Sequence, residues 1–499
     1  GRPAGRSGAG GRSRLPGRRV QDADPPGVAP RDCGAVAAVQ RGRLVPMTPE
    51  HGEPTGQVTP ASGGAAHPVQ PVTGTRLDPW VDAYADRTHG LRASEIRALF
   101  AVANRPEVIS LAGGMPNLEG LPIEALAESA HELVLKRGTT ALQYGIGQGD
   151  ETLREQILEV MRLEHIHAHP DDVVVTTGSQ QALDLVTRLF VNPGDVVVAE
   201  APSYVGALGV FRSYQADVVH VPLDDDGIVP EALDETLTRL AAEGRQAKLI
   251  YIVPNFHNPA GVTLSGERRP RVLEIARRHG VLVVEDNPYG LLGFDSEPMP
   301  AMRAMDDTGV VYLGSFSKTF APGYRVGWAV APPGIREKLV LASESAILCP
   351  SNASQLAVST YLTNHDWRGQ IKAYREMYRE RRDAMIAALA EHLPEASWTV
   401  PHGGFYTWVK LPYGIDARAM LPRAVTALVA YVSGTAFYAD GQGADHMRLS
   451  FCYPTPERIR EGVRRLAGVV EAEAELVRIF GTDAHPDTGP VQTGGPATL

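Results

Sequence analysis

The sequence predicts an α/β protein with a mostly parallel, seven-stranded sheet in a large domain, followed by a smaller α+β domain. Seven short apolar runs succeed one another between Val173 and Ala331, and most are rich in valine and bounded by Gly, Pro, Asp or Asn. The runs are nearly continuous rather than alternating, which is typical of strands that are covered on both faces. Helical patterns lie between several of them, as parallel strands require. After Pro350 this rhythm changes, which indicates a second domain.

Each predicted strand of the sheet is a short, mainly apolar run. The runs are Val173–Thr176, Val196–Ala199, Val218–Val221, Leu249–Val253, Val281–Val284, Val310–Leu313 and Val326–Ala331. Between them, apolar residues at helical spacing predict helices at Gln180–Phe190 and Gly266–Arg278. One strand can run antiparallel to the others, and the sequence does not identify it.

The elements outside this sheet are predicted from the same periodicities. Before it, the sequence predicts a serine-capped helix at Ser94–Val102, a short strand at Val108–Leu111, a helix at Ile123–Arg137, a Gly-rich loop at Leu142–Gly149 and a helix at Asp150–Glu164. After it, the sequence predicts helices at Gln355–Thr363, Gln370–His392, Arg418–Ala430 and Thr455–Phe480, and strands at Trp398–Pro401, Phe405–Leu411 and Met447–Phe451.

The ends of the chain differ in composition from its middle. Residues 1–76 are rich in Gly, Pro, Arg and Ala and have no hydrophobic period, which predicts a disordered, dispensable N-terminal extension. Six arginines in the first 19 residues leave open a nucleic-acid-binding arm or a transit peptide. Because the first methionine is Met47, we expect the residues before it to be an upstream extension. The other predicted parts are an N-terminal segment joining the small domain at 77–120, the large domain at 121–350, the small domain at 351–481 and a flexible tail at 482–499.

Composition argues against several classes of protein. The formal net charge of -10 disfavours nucleic-acid binding through the whole surface. Cys33, Cys349 and Cys452 are too few and too scattered for a disulfide framework or a metal site, and they suit reduced thiols in the cytoplasm. No apolar run is long enough for a membrane-spanning helix, so we expect no membrane partner.

The run Val310–Leu313 leads into a dense group of reactive residues. Ser315, Ser317 and Lys318 follow it, and Arg325 comes seven residues after the lysine. A lysine that forms a Schiff base is kept partly neutral by burial and by cationic neighbours. Hydroxyls and a guanidinium beside it are what a phosphate needs. An aldehyde that carries a phosphate is pyridoxal phosphate (PLP), although a loop lysine with a solvated head explains Lys318 equally well when it is taken alone.

Two other strand ends offer phosphate and ring contacts. Ligand sites of open α/β sheets gather at the carboxyl ends of the strands. Ser179 and Gln180 open a helix, where N–H groups and a hydroxyl suit a phosphate, or where Ser179 is a plain N-cap. Tyr204 can stack on an aromatic ring, or it can simply pack against its neighbours.

Two further strand ends offer contacts to the rest of a pyridine ring. Asn258 can donate to a phenolate oxygen or serve as a turn residue. His257 can act as a base, but we interpret it as a hydrogen-bonded structural histidine. Asp286 can pair with a protonated pyridine nitrogen and keep the ring an electron sink, and Tyr289 can reach the phenolate. An acid before a turn is common, so Asp286 alone indicates little. Together, however, the strand ends supply every part that PLP needs, and we predict a PLP site.

A stretch from about Arg92 to Ala467 resembles the class I/II aminotransferases of PLP fold type I, and it is most similar to their 2-aminoadipate aminotransferase group. The resembling stretch covers some three quarters of the chain. The motifs that carry the resemblance are SEIRALF, ISLAGGMPN, LQYGIGQGD, VVTTGSQQALDLV, EAPSYVGAL, NFHNPAG, VVEDNPYG, YLGSFSKTFAPGYRVGWAVA, PHGGFYTWVKLP and MRLSF.

That resemblance implies a role for each candidate residue. The implied catalytic residues are Lys318, as Schiff-base lysine and acid/base, Asp286 and Tyr204. The implied cofactor-binding residues are Ser179, Gln180, Tyr204, Asn258, Asp286, Tyr289, Ser315, Ser317, Lys318, Arg325 and Tyr144, the last from a neighbouring subunit of a homodimer. The implied substrate-binding residues are Arg448 for the α-carboxylate, Gly114, Asn258, and Arg97 for a distal carboxylate. An alternative for Arg97 is that it faces solvent or an acid on its own helix. No metal is implied.

By the same resemblance we expect a cytoplasmic transaminase that moves an amino group between an L-amino acid and a 2-oxo acid by a ping-pong mechanism. The amino acids in question are 2-aminoadipate, glutamate, and branched-chain or aromatic residues. One alternative is a PLP-dependent β-lyase on the same scaffold. Another is the effector domain of a PLP-sensing transcription regulator without turnover. Such regulators carry a winged helix-turn-helix ahead of this fold, and residues 1–76 show no such pattern.

Overall fold

The structure of the protein is a computed structural model that describes residues 78, 80–88 and 105–480. The predictions for residues 1–76 and 482–499, the helix Ser94–Val102 and Arg97 therefore lie outside the described residues. The domain borders proposed above stay predictions. No helix in the described part of the chain combines the length and apolar character needed to cross a membrane.

Fourteen strands are present in the described residues. In chain order they are β1 Ile109–Ser110, β2 Val173–Thr176, β3 Val196–Ala201, β4 Asp217–Asp224, β5 Gly227–Ile228, β6 Ala247–Ile252, β7 Leu282–Asp286, β8 Val310–Ser315, β9 Gly327–Val330, β10 Ser397–Trp398, β11 Tyr406–Lys410, β12 Val429–Ala430, β13 Val432–Ser433 and β14 His446–Ser450. The α-helices are Ile123–Ala141, Glu151–Met161, Ser179–Phe190, Val205–Ser213, Pro230–Ala242, Arg268–His279, Met302–Met305, Pro333–Ile347, Asn352–Asn364, Trp367–His392, Ala417–Thr426 and Pro456–Phe480.

The large sheet confirms the predicted α/β class. Its strand order is β2-β9-β8-β7-β6-β3-β4-β5. The neighbours from β8 through β4 pair in parallel, whereas β9 runs antiparallel to both β8 and β2. All seven predicted strands are present, and β9 is the antiparallel one that the sequence left unidentified. An eighth strand, β5, is a two-residue hairpin partner of β4 at the sheet edge, too short to show a pattern of its own.

Strand β3 shows why the apolar runs are continuous. Val198 lies in the buried cluster that contains Leu237 of the helix Pro230–Ala242. Its neighbour Val197 lies in the cluster that contains Leu183, on the other face of the sheet. Because side chains alternate along a strand, a strand between two helical layers needs an apolar residue at every position. Both valines are fully buried.

The C-terminal part contains a separate antiparallel sheet in the order β10-β11-β14-β13, and one prediction there is wrong. The predicted helix Arg418–Ala430 ends at Thr426, and Val429 and Ala430 form strand β12 instead. The backbone turns at Leu428, whose φ is 60°, and Val429 then pairs in parallel with Ile109. This pairing joins the segment before the large sheet to the C-terminal part, which local periodicity does not reveal.

The antiparallel strand β9 lies between β2 and β8, and the ends of these two strands meet at its first residue. Its first residue, Gly327, pairs with Thr176 at the end of β2 and with Ser315 at the end of β8. A side chain on Gly327 would meet the backbone nitrogen of Ser179 at 2.5 Å, so only glycine permits this approach. The helix that starts at Ser179 therefore begins beside the loop that carries Lys318.

Candidate active site

A cavity of about 390 Å³ opens at the carboxyl ends of β7 and β8, next to β11 and β14. Twelve of the fourteen predicted site residues line it, namely Gly114, Ser179, Gln180, Tyr204, Asn258, Asp286, Tyr289, Ser315, Ser317, Lys318, Arg325 and Arg448. Tyr144 lies elsewhere in the same chain with 76% of its surface exposed, and Arg97 is outside the described residues. Residues predicted at separate strand ends therefore line one shared cavity.

Lys318 points its amine into the cavity. Its Nζ donates a hydrogen bond to the carbonyl oxygen of Gly114 at 2.9 Å. Removal from water lowers the pKa of Lys318 to about 8, and the positive charges of Arg448 and Arg325 act in the same direction. A substantial fraction of the amine is therefore neutral near pH 8, as a nucleophile or a base must be.

Asp286, the last residue of β7, presents a carboxylate with one free oxygen. Its Oδ2 accepts a hydrogen bond from the Tyr251 hydroxyl at 2.7 Å, while its buried Oδ1 has no hydrogen-bond partner among the described residues. Burial raises the pKa of Asp286 to about 6, and the bond from Tyr251 opposes that rise. A buried carboxylate oxygen without a donor fits a protonated ring nitrogen as its missing partner.

Hydroxyls, a guanidinium and a helix start converge at the other end of the cavity. The Ser315 hydroxyl lies 2.9 Å from that of Ser317, and Arg325 reaches Ser317 at 3.4 Å. The helix Ser179–Phe190 begins here, and a side chain on Gly178 would overlap the guanidinium of Arg325. Free N–H groups at a helix start, together with these donors, form a site for a phosphate.

Tyr204 and Gln180 form one side of the cavity. The Tyr204 hydroxyl donates to Gln180 Oε1 at 3.3 Å, and Gln180 Nε2 donates to the carbonyl of Gly206 at 3.1 Å. Burial raises the pKa of Tyr204 to about 12, so its hydroxyl keeps the proton. Stacking of Tyr204 on a cofactor ring stays a prediction.

Arg448, on strand β14, is 2% exposed and held in place from three sides. It donates to Asn258 Oδ1 at 2.8 Å and to the carbonyl of Ala112 at 2.6 Å, and it lies over the Tyr406 ring at 4.2 Å. Its buried Nε has no hydrogen-bond partner among the described residues. Because Asn258 turns its oxygen toward Arg448, its amide N–H groups remain for the cavity.

The charges that line the cavity do not balance. Lys318, Arg325 and Arg448 are cationic, and Asp286 is the carboxylate among the lining residues. In the part of the chain that the structure describes, no carboxylate forms an ion pair with any of these three cations. Clustered cations without counterions favour anionic ligands, and here Arg448 is buried, Lys318 is partly buried and Arg325 is exposed. The arrangement fits one phosphate and one further carboxylate, which is the charge pattern of PLP together with an amino acid.

Sequence reasoning missed two tyrosines that shape the site. Tyr251 lies in a run that the sequence predicts only as an apolar strand, yet it pairs with Val284, two residues before Asp286 on the same face of the sheet. The sequence offered one signal for Tyr251, because its hydroxyl is the polar group in an otherwise apolar run. Tyr406 contacts Arg448, and its hydroxyl lies 3.5 Å from that of Tyr289.

His257 holds the loop after β6 and does not line the cavity. Its Nδ1 accepts from the backbone N–H of Ala260 at 3.2 Å, and its Nε2 lies 3.1 Å from Glu200 Oε2. Both His257 and Glu200 are 1% exposed. The histidine is structural, as the sequence analysis interpreted it, and its carboxylate partner was not foreseen.

Comparison with known proteins agrees with this geometry. The sequence matches the family model described as aminotransferase class I and II over residues 106–466. The aromatic-amino-acid aminotransferase 1 of Thermococcus litoralis is 44% identical over 78% of this chain and 94% of its own length. The range matched by the family model includes every residue that lines the cavity, from Gly114 to Arg448.

Solved structures give the same result. The Pyrococcus horikoshii kynurenine aminotransferase, in complex with PMP, is 42% identical with a TM-score of 0.75, over 78% of this chain and 97% of that one. The α-aminoadipate aminotransferase LysN of Thermus thermophilus, complexed with N-(5'-phosphopyridoxyl)-L-leucine, is 36% identical with a TM-score of 0.74, over 80% and 100%. The chain therefore belongs to the class I and II aminotransferase family.

Proposed function

We propose that this PLP-dependent aminotransferase accepts both dicarboxylic amino acids, such as 2-aminoadipate and glutamate, and larger apolar or aromatic ones, with 2-oxo acids as amino-group acceptors. The observation that carries the proposal is the cavity with three cationic side chains and one carboxylate. Of these cations, Lys318 is assigned to the cofactor's aldehyde and Arg325 suits its phosphate, so Arg448 is left for the carboxylate that every amino acid and 2-oxo acid carries.

The residues present fit PLP. Ser315, Ser317 and Arg325 would hold its phosphate with the helix start at Ser179, and Asp286 would take its ring nitrogen. When bound, PLP supplies an electron sink for the electron pair left on the substrate Cα after deprotonation. The free oxygen of Asp286 supports this assignment. So does Arg325, whose guanidinium contacts a hydroxyl and two backbone carbonyls and no carboxylate among the described residues.

The chain's own residues supply binding and proton transfer. Arg448 would bind the substrate carboxylate through two parallel hydrogen bonds and so fix the orientation of the Cα–H bond. Lys318 Nζ would take the proton from that Cα, because its lowered pKa leaves the amine partly neutral. Ping-pong turnover then requires a second, 2-oxo acid substrate to bind to the same arginine.

Substrate panels test the proposal directly. Leucine, phenylalanine, glutamate and 2-aminoadipate would each be assayed with 2-oxoglutarate, 2-oxoadipate and pyruvate. We expect stoichiometric formation of the new amino acid from the acceptor. In a separate assay with S-methylcysteine, whose methanethiolate can leave from Cβ, release of methanethiol, pyruvate and ammonia without amino-acid formation would instead support the β-lyase alternative. Binding of PLP without any turnover would support the regulator alternative.

Substitution of Arg97 by alanine is expected to lower kcat/KM for 2-aminoadipate by about ten- to a hundredfold and to spare leucine. The resemblance implies that Arg97 pairs with a distal carboxylate, and a guanidinium in that role has to move away from an apolar substrate side chain, since a buried unpaired charge is costly. Steady-state kinetics on both substrates measure the effect. The matched control is Arg239→Ala, which removes an exposed ion pair with Glu243. Equal losses on both substrates, or none, would remove Arg97 from specificity.

We further infer that the protein is a homodimer. Leu142, Tyr144 and Ile146 are exposed by 73%, 76% and 66% in one loop. That loop lies beside Asn352, which donates to the carbonyl of Thr140 at 2.7 Å. A side chain on Gly147 of this loop would meet Glu344 of the helix Pro333–Ile347. That helix also carries the exposed residues Leu341 and Ile347, and the exposed Leu348 follows it. Exposed apolar side chains on neighbouring segments are typical of an isologous dimer interface.

The dimer predicts complementation between two inactive variants. If Tyr144 serves the site of the partner subunit, a Tyr144→Ala chain lacks it in the opposite site, while a Lys318→Ala chain lacks its own amine. In mixed dimers one of the two sites is intact, so an equimolar mixture should regain about one quarter of wild-type activity after subunit exchange. Sedimentation before and after mixing checks the assembly. An active monomer, or no recovery in confirmed mixed dimers, would contradict the model.

The pKa of Lys318 predicts the pH dependence of cofactor uptake. Only the neutral amine reacts with an aldehyde, and its pKa is lowered to about 8 in the protein. The rate of PLP uptake by apoenzyme should therefore rise about tenfold per pH unit below 8 and level off above it. Stopped-flow absorbance measures the rate. Pyridoxamine phosphate, which has no aldehyde, is the control and should show no such rise; a flat profile for PLP would contradict the assignment.

A further inference from the structure

A buried polar cluster lies behind the strand that ends in Asp286. Because side chains alternate along β7, Glu285 faces away from the side that Asp286 faces, and it pairs with Tyr312 on β8. The members of this group, which we call the Glu164 cluster, are Glu164, Asn255, Arg269, Glu285, Asn287 and Tyr312. Each is at most 4% exposed, and none lines the cavity.

The hydrogen bonds of the cluster run in one direction. Arg269 donates to Asn255 Oδ1 at 2.6 Å, and Asn255 Nδ2 donates to Asn287 Oδ1 at 2.9 Å. Asn287 Nδ2 then donates to Glu164 Oε1 at 2.6 Å, and the Tyr312 hydroxyl donates to Glu164 Oε2 at 2.7 Å. Since arginine only donates and a carboxylate only accepts, the two ends determine how both asparagine amides are turned.

Such a cluster needs a reason beyond folding stability, because desolvation offsets much of what buried charges gain from each other. Burial raises the pKa of Glu164 to about 7, although Tyr312 and Asn287 hydrogen-bond its charged form. Its carboxylate contacts the turn 287–290 by accepting the hydrogen bond from Asn287, which lies 123 residues later in the sequence. A side chain on Gly290, at the end of that turn, would overlap Glu164 Oε1.

The turn held in this way connects two residues of the cavity. Asp286 immediately precedes Asn287, and Tyr289 lies inside the turn; both line the cavity. Among the described residues, the Asp286 side chain accepts one hydrogen bond, from Tyr251, so its placement depends on the backbone around it. A shift of the turn would move the free Oδ1 of Asp286 and the Tyr289 hydroxyl together.

We propose that Glu164 is a positioning residue, which anchors the turn 287–290 through Asn287 and thereby sets Asp286 and Tyr289 toward the cofactor. This inference rests on the proposed function, because both residues serve a bound PLP. Glu164 itself touches neither cofactor nor substrate. Its effect should therefore show in cofactor affinity and kcat, with the KM for the amino acid nearly unchanged, since Arg448 is held by other contacts.

The test compares Glu164→Ala, Glu164→Gln and a matched control. Alanine leaves the amide of Asn287 without its acceptor, and it should raise the Kd of apoenzyme for PLP and lower kcat, each by about tenfold or more. Glutamine keeps an acceptor for Asn287 and should restore both to within about threefold of wild type. Absorbance titration with PLP, steady-state kinetics and thermal unfolding of apoenzyme are the measurements, with binding and kinetics measured well below the unfolding temperature.

Asp306→Ala is the control for a purely structural loss. Asp306 accepts hydrogen bonds from the backbone of Thr308 at 3.0 Å and Gly309 at 2.8 Å, at the opposite end of β8. This variant should lower the unfolding temperature and leave the Kd for PLP unchanged. If Glu164→Ala does not fold, Asn287→Ala, which removes the same link from the other side, should show the same rise in Kd.

Each possible result contradicts a different part of the proposal. A lower unfolding temperature with unchanged Kd and kcat in Glu164→Ala or Asn287→Ala would overturn the positioning role. If Glu164→Gln changes the Kd for PLP and kcat as much as Glu164→Ala does, the hydrogen-bond acceptor at position 164 is not what positions the turn. A wild-type protein that binds no PLP would instead overturn the proposed function, and this inference with it.

Discussion

Replacement of Lys318 by alanine is expected to reduce transamination by at least about 10⁴-fold, because one amine serves as both nucleophile and proton carrier. Lys318 lines the cavity, with its Nζ 2.9 Å from the carbonyl of Gly114. The phosphate contacts proposed for Ser315, Ser317 and Arg325 do not involve the lysine, so weak PLP binding should persist without the visible absorbance of the lysine-bound cofactor.

Single-turnover absorbance and steady-state assays measure this loss. The matched control is Lys410→Ala, since Lys410 is exposed and lies 3.7 Å from Asp445 at the surface. The control should match wild type in both activity and spectrum. Ordinary turnover by the Lys318→Ala protein would refute the assignment of the whole cavity, because the described residues that line it include no other lysine.

Much of the site was predictable because parallel strands share one direction. Five of the seven predicted strand ends carried candidate site residues, and a mostly parallel sheet brings such ends to a common edge. Ser179, Asn258, Asp286 and Ser315 come from four different strand ends and meet in one cavity. Valine-rich continuous runs likewise predicted helices on both faces, which Val197 and Val198 confirm by packing on opposite sides.

The supporting contacts were not predictable, because they depend on register and on distant segments. Tyr251 reaches Asp286 only because β6 pairs with β7 in the observed register. Glu164 meets Asn287 across 123 residues of chain. The strand at Val429 was predicted as helix for two reasons. Its partner, Ile109, lies 320 residues earlier in the chain, and the helix is broken by the positive φ of Leu428, which the residue type does not reveal.

Replacement of Asp286 by asparagine is expected to lower kcat by about 10³-fold while the fold is kept. Asparagine has nearly the same shape, and it can still accept the hydrogen bond that Tyr251 makes at 2.7 Å. It lacks the negative charge that keeps a ring nitrogen protonated, and the electron sink depends on that protonation. Steady-state kinetics and the absorbance of bound PLP measure the change.

The pH dependence distinguishes the charge of Asp286 from its shape. Burial raises the pKa of Asp286 to about 6, so in the protein without cofactor it is charged above pH 6 and becomes neutral as the pH falls below it. The affinity of wild-type apoenzyme for PLP should therefore decline below pH 6, whereas that of Asp286→Asn should be low throughout and lack this decline. Asp184→Asn is the matched control, since Asp184 also accepts from a tyrosine, Tyr214 at 3.3 Å, but does not line the cavity. If Asp286→Asn binds PLP and turns over like Asp184→Asn, the unpartnered Oδ1 faces something other than a protonated ring nitrogen.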